Sequence, residues 1–163
     1  MTKFGDVPTQ TNVGSAVAST AACKVIRTTG LAISAGTTNP VTFPTGQASE
    51  VYKTHADFHS MSSGTQQVFT VIAGWTVVKF WLIFPADGSG GSRRRLVVNS
   101  SLADFNAIKA ECVNGGTPNQ PLTAFLSLRF YHATYGPHRF DLSAYSDAAT
   151  TVTGGISMRT TPL

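Results

Sequence analysis

Residues 68–99 read VFTVIAGWTVVKFWLIFPADGSGGSRRRLVVN and decide the fold class. β-Branched and aromatic side chains dominate residues 68–72 and 75–84, which is typical of strands. Residues 87–92 are mostly Gly and Ser, which predicts a flexible hairpin loop, and residues 93–99 form the predicted return strand. The stretch contains nothing that resembles an active site, so assembly and binding are favoured over catalysis.

The strand predicted over residues 75–84 is apolar on both of its faces. Side chains alternate along a strand, so Phe80 and Phe84 lie on one face and Trp81 lies on the other. In a sandwich, one face would pack in the core and the other against a neighbouring subunit; a large monomeric core is the alternative. We expect a subunit interface made of seven aromatic residues: Trp75, Phe80, Trp81, Phe84, Phe125, Phe130 and Tyr131.

Turn clusters rich in Gly, Pro, Asn and Ser divide the rest of the chain into short strand-like segments. Residues 101–113 could form a short helix, but we favour a strand over 105–112. The other predicted strands cover residues 23–27, 41–43, 52–59, 122–132, 138–145 and 150–159. About nine or ten strands at this spacing predict an all-β fold, an antiparallel double-sheet jelly-roll sandwich.

The composition favours a single domain whose surface is largely covered by partner subunits. Of 163 residues, 42% are hydrophobic and only 12% are charged, which is about half the usual charged share. A small monomer normally carries more surface charge for solubility. Residues 1–22 have few large apolar side chains, so we expect an extended N-terminal arm that a partner orders, followed by a jelly-roll domain over residues 23–163.

Charge and apolar patterning exclude two classes of partner. The net charge is +4 and the pI is about 9.3, but the only basic run is Arg93, Arg94 and Arg95. No basic stripe is interleaved with aromatics, so we expect no nucleic-acid binding. The longest apolar run, residues 80–86, is too short to span a membrane, so we expect no membrane insertion. The N-terminus has no apolar signal region, which predicts synthesis in the cytoplasm.

A weak metal-binding pattern occurs at His55, Asp57 and His59. The three side chains would share one face of a strand, although a polar strand face is the simpler interpretation. We therefore expect no metal and no other cofactor. Cys23 and Cys112 lie far apart in apolar segments and are either buried free thiols or a disulfide, which the sequence leaves open.

Two groups of polar side chains could form a ligand surface. One is the basic run at residues 93–95, which could meet an anionic host glycan or pair with acidic residues of a neighbouring subunit. The other surrounds a turn and comprises His132, Tyr135, His138 and Arg139. The chain has no Gly-x-Ser-x-Gly motif and no close carboxylate pair, so we expect no enzyme. A small hydrolase is the alternative from a different class.

Several short motifs occur in the order in which one known family carries them. They are VIR at 25–27, GT at 36–37, VTF at 41–43, YKT at 52–54 with His59, FTVIAGW at 69–75, GSR at 91–93 with Asn99, and GGISM at 154–158. Over residues 23–163 the chain resembles the trimeric jelly-roll superfamily of tumour necrosis factor and the complement globular head, in the versions found in tailed bacteriophages. It departs from that pattern at Ser100, where a glycine usually follows the asparagine, and at residues 155–158, where an aromatic residue is usual.

The resemblance implies a homotrimer with an aromatic threefold core and, in the phage setting, a virion protein. We therefore expect a structural protein of the tail or tail tip that docks onto other virion proteins through residues 1–22. The alternatives are a capsid decoration or head-fibre protein, and a receptor-binding tip that grips a host cell-surface glycan.

Overall fold

The computed structural model describes residues 21–44, 46–53, 66–71, 74–86, 92–100, 107–113, 120–133 and 136–162. These residues form ten β-strands and no helix, so this part of the chain offers no helix that could cross a membrane. The strands are β1 (Ala21–Ile33), β2 (Thr38–Pro40), β3 (Ala48–Lys53), β4 (Gln66–Val71), β5 (Gly74–Phe84), β6 (Arg93–Ser100), β7 (Ile108–Val113), β8 (Leu122–His132), β9 (Gly136–Ser146) and β10 (Thr150–Pro162). The all-β class and the strand number are confirmed.

The strands lie in two antiparallel sheets of five strands each. Sheet A has the order β3-β1-β10-β5-β8. Sheet B has the order β2-β9-β6-β7, and β4 also pairs with β9. Strands that are distant in sequence are therefore neighbours in space, as β1 and β10 are in the middle of sheet A. This arrangement confirms the predicted double-sheet jelly roll.

The core lies between the two sheets and follows from side-chain alternation. Every second residue of β5 points inward, and Phe80, Leu82 and Phe84 are fully buried. Sheet B contributes the buried Phe140 and Leu142 of β9, and the rings of Phe80 and Phe140 lie 5.5 Å apart. Burying each such side chain stabilises the fold by about 1.5–3 kcal/mol. The opposite face of β5 is left pointing away from the core.

One buried arginine in sheet A is held by neutral oxygens. Arg27 of β1 donates hydrogen bonds to the carbonyl oxygen of Thr42 at 2.6 Å and to Oε1 of Gln47 at 2.8 Å. Its Nε atom is buried without a hydrogen-bond partner, and burial lowers the pKa of the guanidinium. These contacts fix the segment after β2 against the edge of sheet A.

Two local predictions are wrong. Residues 87–92 do not join hairpin partners, because β5 lies in sheet A and β6 lies in sheet B. Alternation of apolar residues marks a strand without saying which strand it pairs with. Residues 41–43 do not form a strand either: β2 ends before them, Val41 makes one backbone hydrogen bond to Leu142 at 2.8 Å, and Phe43 fills the core. An extended core segment and a short strand have the same apolar pattern.

The first strand includes two residues of the predicted N-terminal arm. Ala21 and Ala22 belong to β1, where they lie opposite Thr160 and Arg159 of β10. The rest of the predicted arm lies outside the described residues. Residues 105–106 lie outside them too, but the strand favoured over the helix in this region is confirmed as β7.

Candidate interface on the outer face of sheet A

The outward side chains of sheet A form rows, because the antiparallel registers place them opposite one another. From β10 through β5 to β8, four successive rows are Thr161–Trp75–Tyr131, Arg159–Val77–Arg129, Ser157–Lys79–Ser127 and Gly155–Trp81–Phe125. Lys24 and Ile26 of β1 extend the third and fourth rows. Two rows with aromatic side chains therefore flank two rows that carry cations.

Several large apolar side chains on this face are exposed to solvent. Trp75, Ile83, Phe125 and Tyr131 are 40–52% exposed. The rings of Trp75 and Tyr131 meet edge to face at 5.5 Å, so these two side chains support each other within one chain. Large exposed apolar groups on one surface mark an interaction site.

Trp81 lies flat enough on the sheet to require glycine beneath it. A Cβ atom at Gly155 would approach a ring carbon of Trp81 to 2.4 Å and the carbonyl oxygen of Val25 to 2.6 Å. The neighbouring Gly154 is equally constrained, since its Cβ would lie 2.2 Å from the Trp81 carbonyl oxygen. The Lys24 ammonium also lies over the Trp81 ring, 5.7 Å from its centroid. The GGISM motif therefore provides the surface on which Trp81 packs.

Between the aromatic rows lies a belt of positive charge, here called the cationic belt. It consists of Lys24 and Lys79, which alternate with Ser157 and Ser127 in one row, and of Arg129 and Arg159 in the other. The small side chains of β10 leave two shallow depressions over the belt, of about 300 and 370 Å³. No described acidic side chain lies on this face. The belt was missed from the sequence, because its members come from four strands whose order alternation alone does not give.

The seven aromatic residues predicted for the subunit interface divide between two environments. Trp75, Trp81, Phe125 and Tyr131 lie on the outer face of sheet A. The other three are buried in the core: Phe80, Phe84 and Phe130. They are removed from the interface, because the alternation that turns Trp81 outward turns Phe80, Leu82 and Phe84 of β5 inward, and Phe130 is buried in the same way on β8.

The basic run of β6 is also divided by alternation. Arg94, which we expected on a ligand surface, is 1% exposed and packs inside the sandwich, 5.9 Å from the centre of the Phe84 ring. Arg95 points outward from sheet B, pairs with Glu111 of β7 and lies 5.0 Å from the Tyr145 ring centre. Two of these three side chains therefore remain at the surface.

Arg93 belongs to a compact network with Asp147 and Tyr145. The backbone N–H of Arg93 donates to Asp147 Oδ2 at 2.9 Å, and the Tyr145 hydroxyl donates to Oδ1 at 2.9 Å. These hydrogen bonds, with the Arg93 side chain 3.2 Å away, lower the pKa of Asp147 to about 2. The same contacts raise the pKa of Arg93 and of Tyr145. The charges at this edge of sheet B are thus already paired within one chain.

The two parts of the predicted ligand surface do not meet. Arg94 lies opposite Ser146 at one end of β9, whereas Arg139 lies near the other end, opposite Val68 of β4. Seven residues of strand separate those ends, which is about 24 Å. His132 ends β8 and His138 lies in β9; Tyr135 is outside the described residues.

The other two predicted features are a metal-binding pattern and a pair of cysteines. His55, Asp57 and His59 lie outside the described residues; the residues that are described hold no group of three or more metal-ligating side chains. Cys23 is buried and Cys112 half-buried, and no disulfide joins them. Burial raises the pKa of Cys112.

Comparisons with known proteins show the fold. A scan against protein-family models and a search of curated sequences find no match. Among solved structures, the globular domain of zebrafish complement 1qA matches with a TM-score of 0.58 and 14% identity over 85% of this chain and 94% of that chain. The PRD1 vertex protein P5 matches with a TM-score of 0.55 and 15% identity, over 86% of this chain and 96% of that chain. Eiger tumour necrosis factor from S. frugiperda matches with a TM-score of 0.54 and 13% identity, over 86% of this chain and 92% of that chain. The chain has the jelly-roll fold of these proteins.

Proposed function

We propose that the protein is a non-enzymatic structural protein that assembles as a homotrimer through the outer face of sheet A. One observation carries the proposal: four large apolar side chains, Trp75, Ile83, Phe125 and Tyr131, are exposed together on that face. A stable protein interface buries about 1,600 Å² in total, with aromatic residues at its centre. The low charged fraction of 12% supports the same conclusion, since subunits that cover one another need less surface charge.

We place the trimer in the virion of a tailed phage, as a minor tail or tail-tip protein. The sequence motifs resemble the phage versions of this jelly-roll superfamily. The likeness to the vertex protein of the phage PRD1 adds support for a virion component. The same likeness favours the second placement, a capsid decoration or head-fibre protein.

The N-terminal arm anchors the trimer by ordering on another virion protein. Because Ala21 and Ala22 are part of β1, only residues 1–20 are available for this role without disturbing sheet A. An extended segment can bind by adding a strand to a neighbouring sheet. Anchoring and trimer formation are therefore separable in the chain.

The test compares virus particles made with the full chain and with a chain lacking residues 1–20. The shortened chain is expected to form trimers but to be missing from purified particles when these are analysed by mass spectrometry. Incorporation of the shortened chain at full level would refute the arm proposal. Analysing separated tails and heads then distinguishes the two placements, and binding of the isolated trimer to host cells would favour a receptor-binding tip.

A further inference from the structure

The cationic belt poses an electrostatic problem for the proposed trimer. Each subunit brings Lys24, Lys79, Arg129 and Arg159 to the face that is to be covered. Lys24 and Arg129 contact the Trp81 and Trp75 rings, at 5.7 and 4.6 Å. A ring contact steadies a cation but does not cancel its charge. Three copies of the belt brought together would repel one another as water is excluded.

The acidic side chains that the structure describes belong to sheet B and its loops, away from the belt. Asp147 pairs with Arg93 and Glu111 pairs with Arg95, both at sheet B. Asp141 lies in β9 of sheet B, opposite Asn99 of β6. No acidic side chain that the structure describes therefore offsets the charge of the belt.

The belt has the chemistry of an oxyanion site. Lys79 lines both depressions, where Ser157 accompanies it; Lys24 lines one depression and Arg159 the other. Ammonium and guanidinium groups give the strongest hydrogen bonds to sulfate and phosphate oxygens, and a serine hydroxyl is a further donor. The depressions, about 300 and 370 Å³, have room for a small tetrahedral anion.

We infer that the cationic belt binds a small polyvalent oxyanion of the sulfate or phosphate class, which the trimer encloses. The inference rests on the proposed function, because it takes the outer face of sheet A as the subunit interface. An anion held between subunits offsets the repulsion between their belts. Since the anion binds the trimer in preference to the monomer, it shifts assembly by mass action.

The experiment measures trimer dissociation by light scattering on dilution, in sulfate and in chloride at equal ionic strength. Sulfate is used at millimolar concentration, where its general effect on apolar burial is small. The full chain is compared with Lys79→Met, which removes the central charge of the belt. Lys109→Met is the matched control, because Lys109 is exposed on β7 at the edge of sheet B, away from the belt.

For the full chain and for Lys109→Met, sulfate is expected to lower the protein concentration at which trimers dissociate by about ten-fold or more. Lys79→Met is expected to lose most of this dependence and to form trimers more readily in chloride, because one repelling charge per subunit is gone. Trimers that dissociate equally in both salts would overturn the inference and leave the proposed trimer intact. A chain that stays monomeric in both salts would overturn the proposed function, and the inference with it.

Discussion

The outer faces of the two sheets use the same kinds of residue in opposite ways. On sheet B, Arg93 and Arg95 are matched by Asp147 and Glu111 of the same chain. On sheet A, four cations lie among exposed aromatic side chains with no described acidic partner. A face whose charges are paired internally is suited to water, whereas one with unmatched charge and exposed rings is suited to a partner. The difference identifies sheet A as the candidate interface.

The largest effect is expected from Gly155→Ala. The added Cβ atom would overlap the Trp81 ring and the backbone oxygen of Val25, so we expect the free energy of unfolding to fall by about 3 kcal/mol. Urea denaturation measures this loss. Gly30→Ala is the control, because the nearest atom to a Cβ there, in Thr151, is at an ordinary 3.5 Å. Equal stability of the two variants would show that Trp81 does not pack on Gly155 as described.

The next effect concerns assembly. Phe125→Ser on sheet A removes a ring that is 52% exposed, whereas Val113→Ser on β7 of sheet B removes a side chain that is 50% exposed. We expect Phe125→Ser to weaken the trimer by about 2 kcal/mol, as the loss of a central aromatic contact does. Val113→Ser should leave trimer dissociation unchanged. Light scattering over a dilution series compares the two variants. A larger loss of trimer stability in Val113→Ser would show that the interface lies on sheet B and not on sheet A.

A smaller effect is expected at the paired face, from Asp147→Asn. The pKa of Asp147 is about 2 in the folded protein and 3.8 for an unperturbed aspartate. Because the folded value is the lower one, Asp147 stabilises the fold above pH 3.8, and this contribution is lost as the pH falls from 3.8 to about 2. Denaturation across that range should give a shallower pH dependence for Asp147→Asn than for the full chain. Parallel curves would contradict the network with Arg93 and Tyr145.

The smallest effect is expected from Glu111→Gln. The ion pair between Arg95 and Glu111 is partly exposed, so its loss should cost less than about 1 kcal/mol. Denaturation in low and high salt measures it, and the difference from the full chain should shrink as salt screens the pair. A loss of several kcal/mol would mean that the charges of sheet B hold the sandwich together, which we do not expect.

Much of the fold could be predicted from the sequence because strand signals are local. The β-branched and aromatic residues of β5 and β8 predict both strands within a residue or two of their observed ends. The pairing of β5 with β8 and β10 could not be predicted from the same signals, because it depends on contacts between distant segments. That is why the β5–β6 hairpin was wrong.

The candidate interface could be predicted only in part, because it too depends on which distant strands are neighbours in the sheet. Alternation places Trp81 and Phe80 on opposite faces of β5, but a strand that is apolar on both faces does not reveal which face is outward, so the sequence predicts both residues at the interface. Lys79 and Arg159 were not singled out, since a lone cation in a strand carries no signal until the strand order brings others beside it. Gly155 was known only as part of a motif, and its contact with Trp81 needed the structure.

The solution mass of the full chain, measured by light scattering, tests the central claim most directly. The account predicts a mass of three times 17.2 kDa, about 52 kDa, over a wide range of protein concentration. A mass of 17.2 kDa throughout that range would contradict it, because the aromatic rows of sheet A would then face water in the working protein.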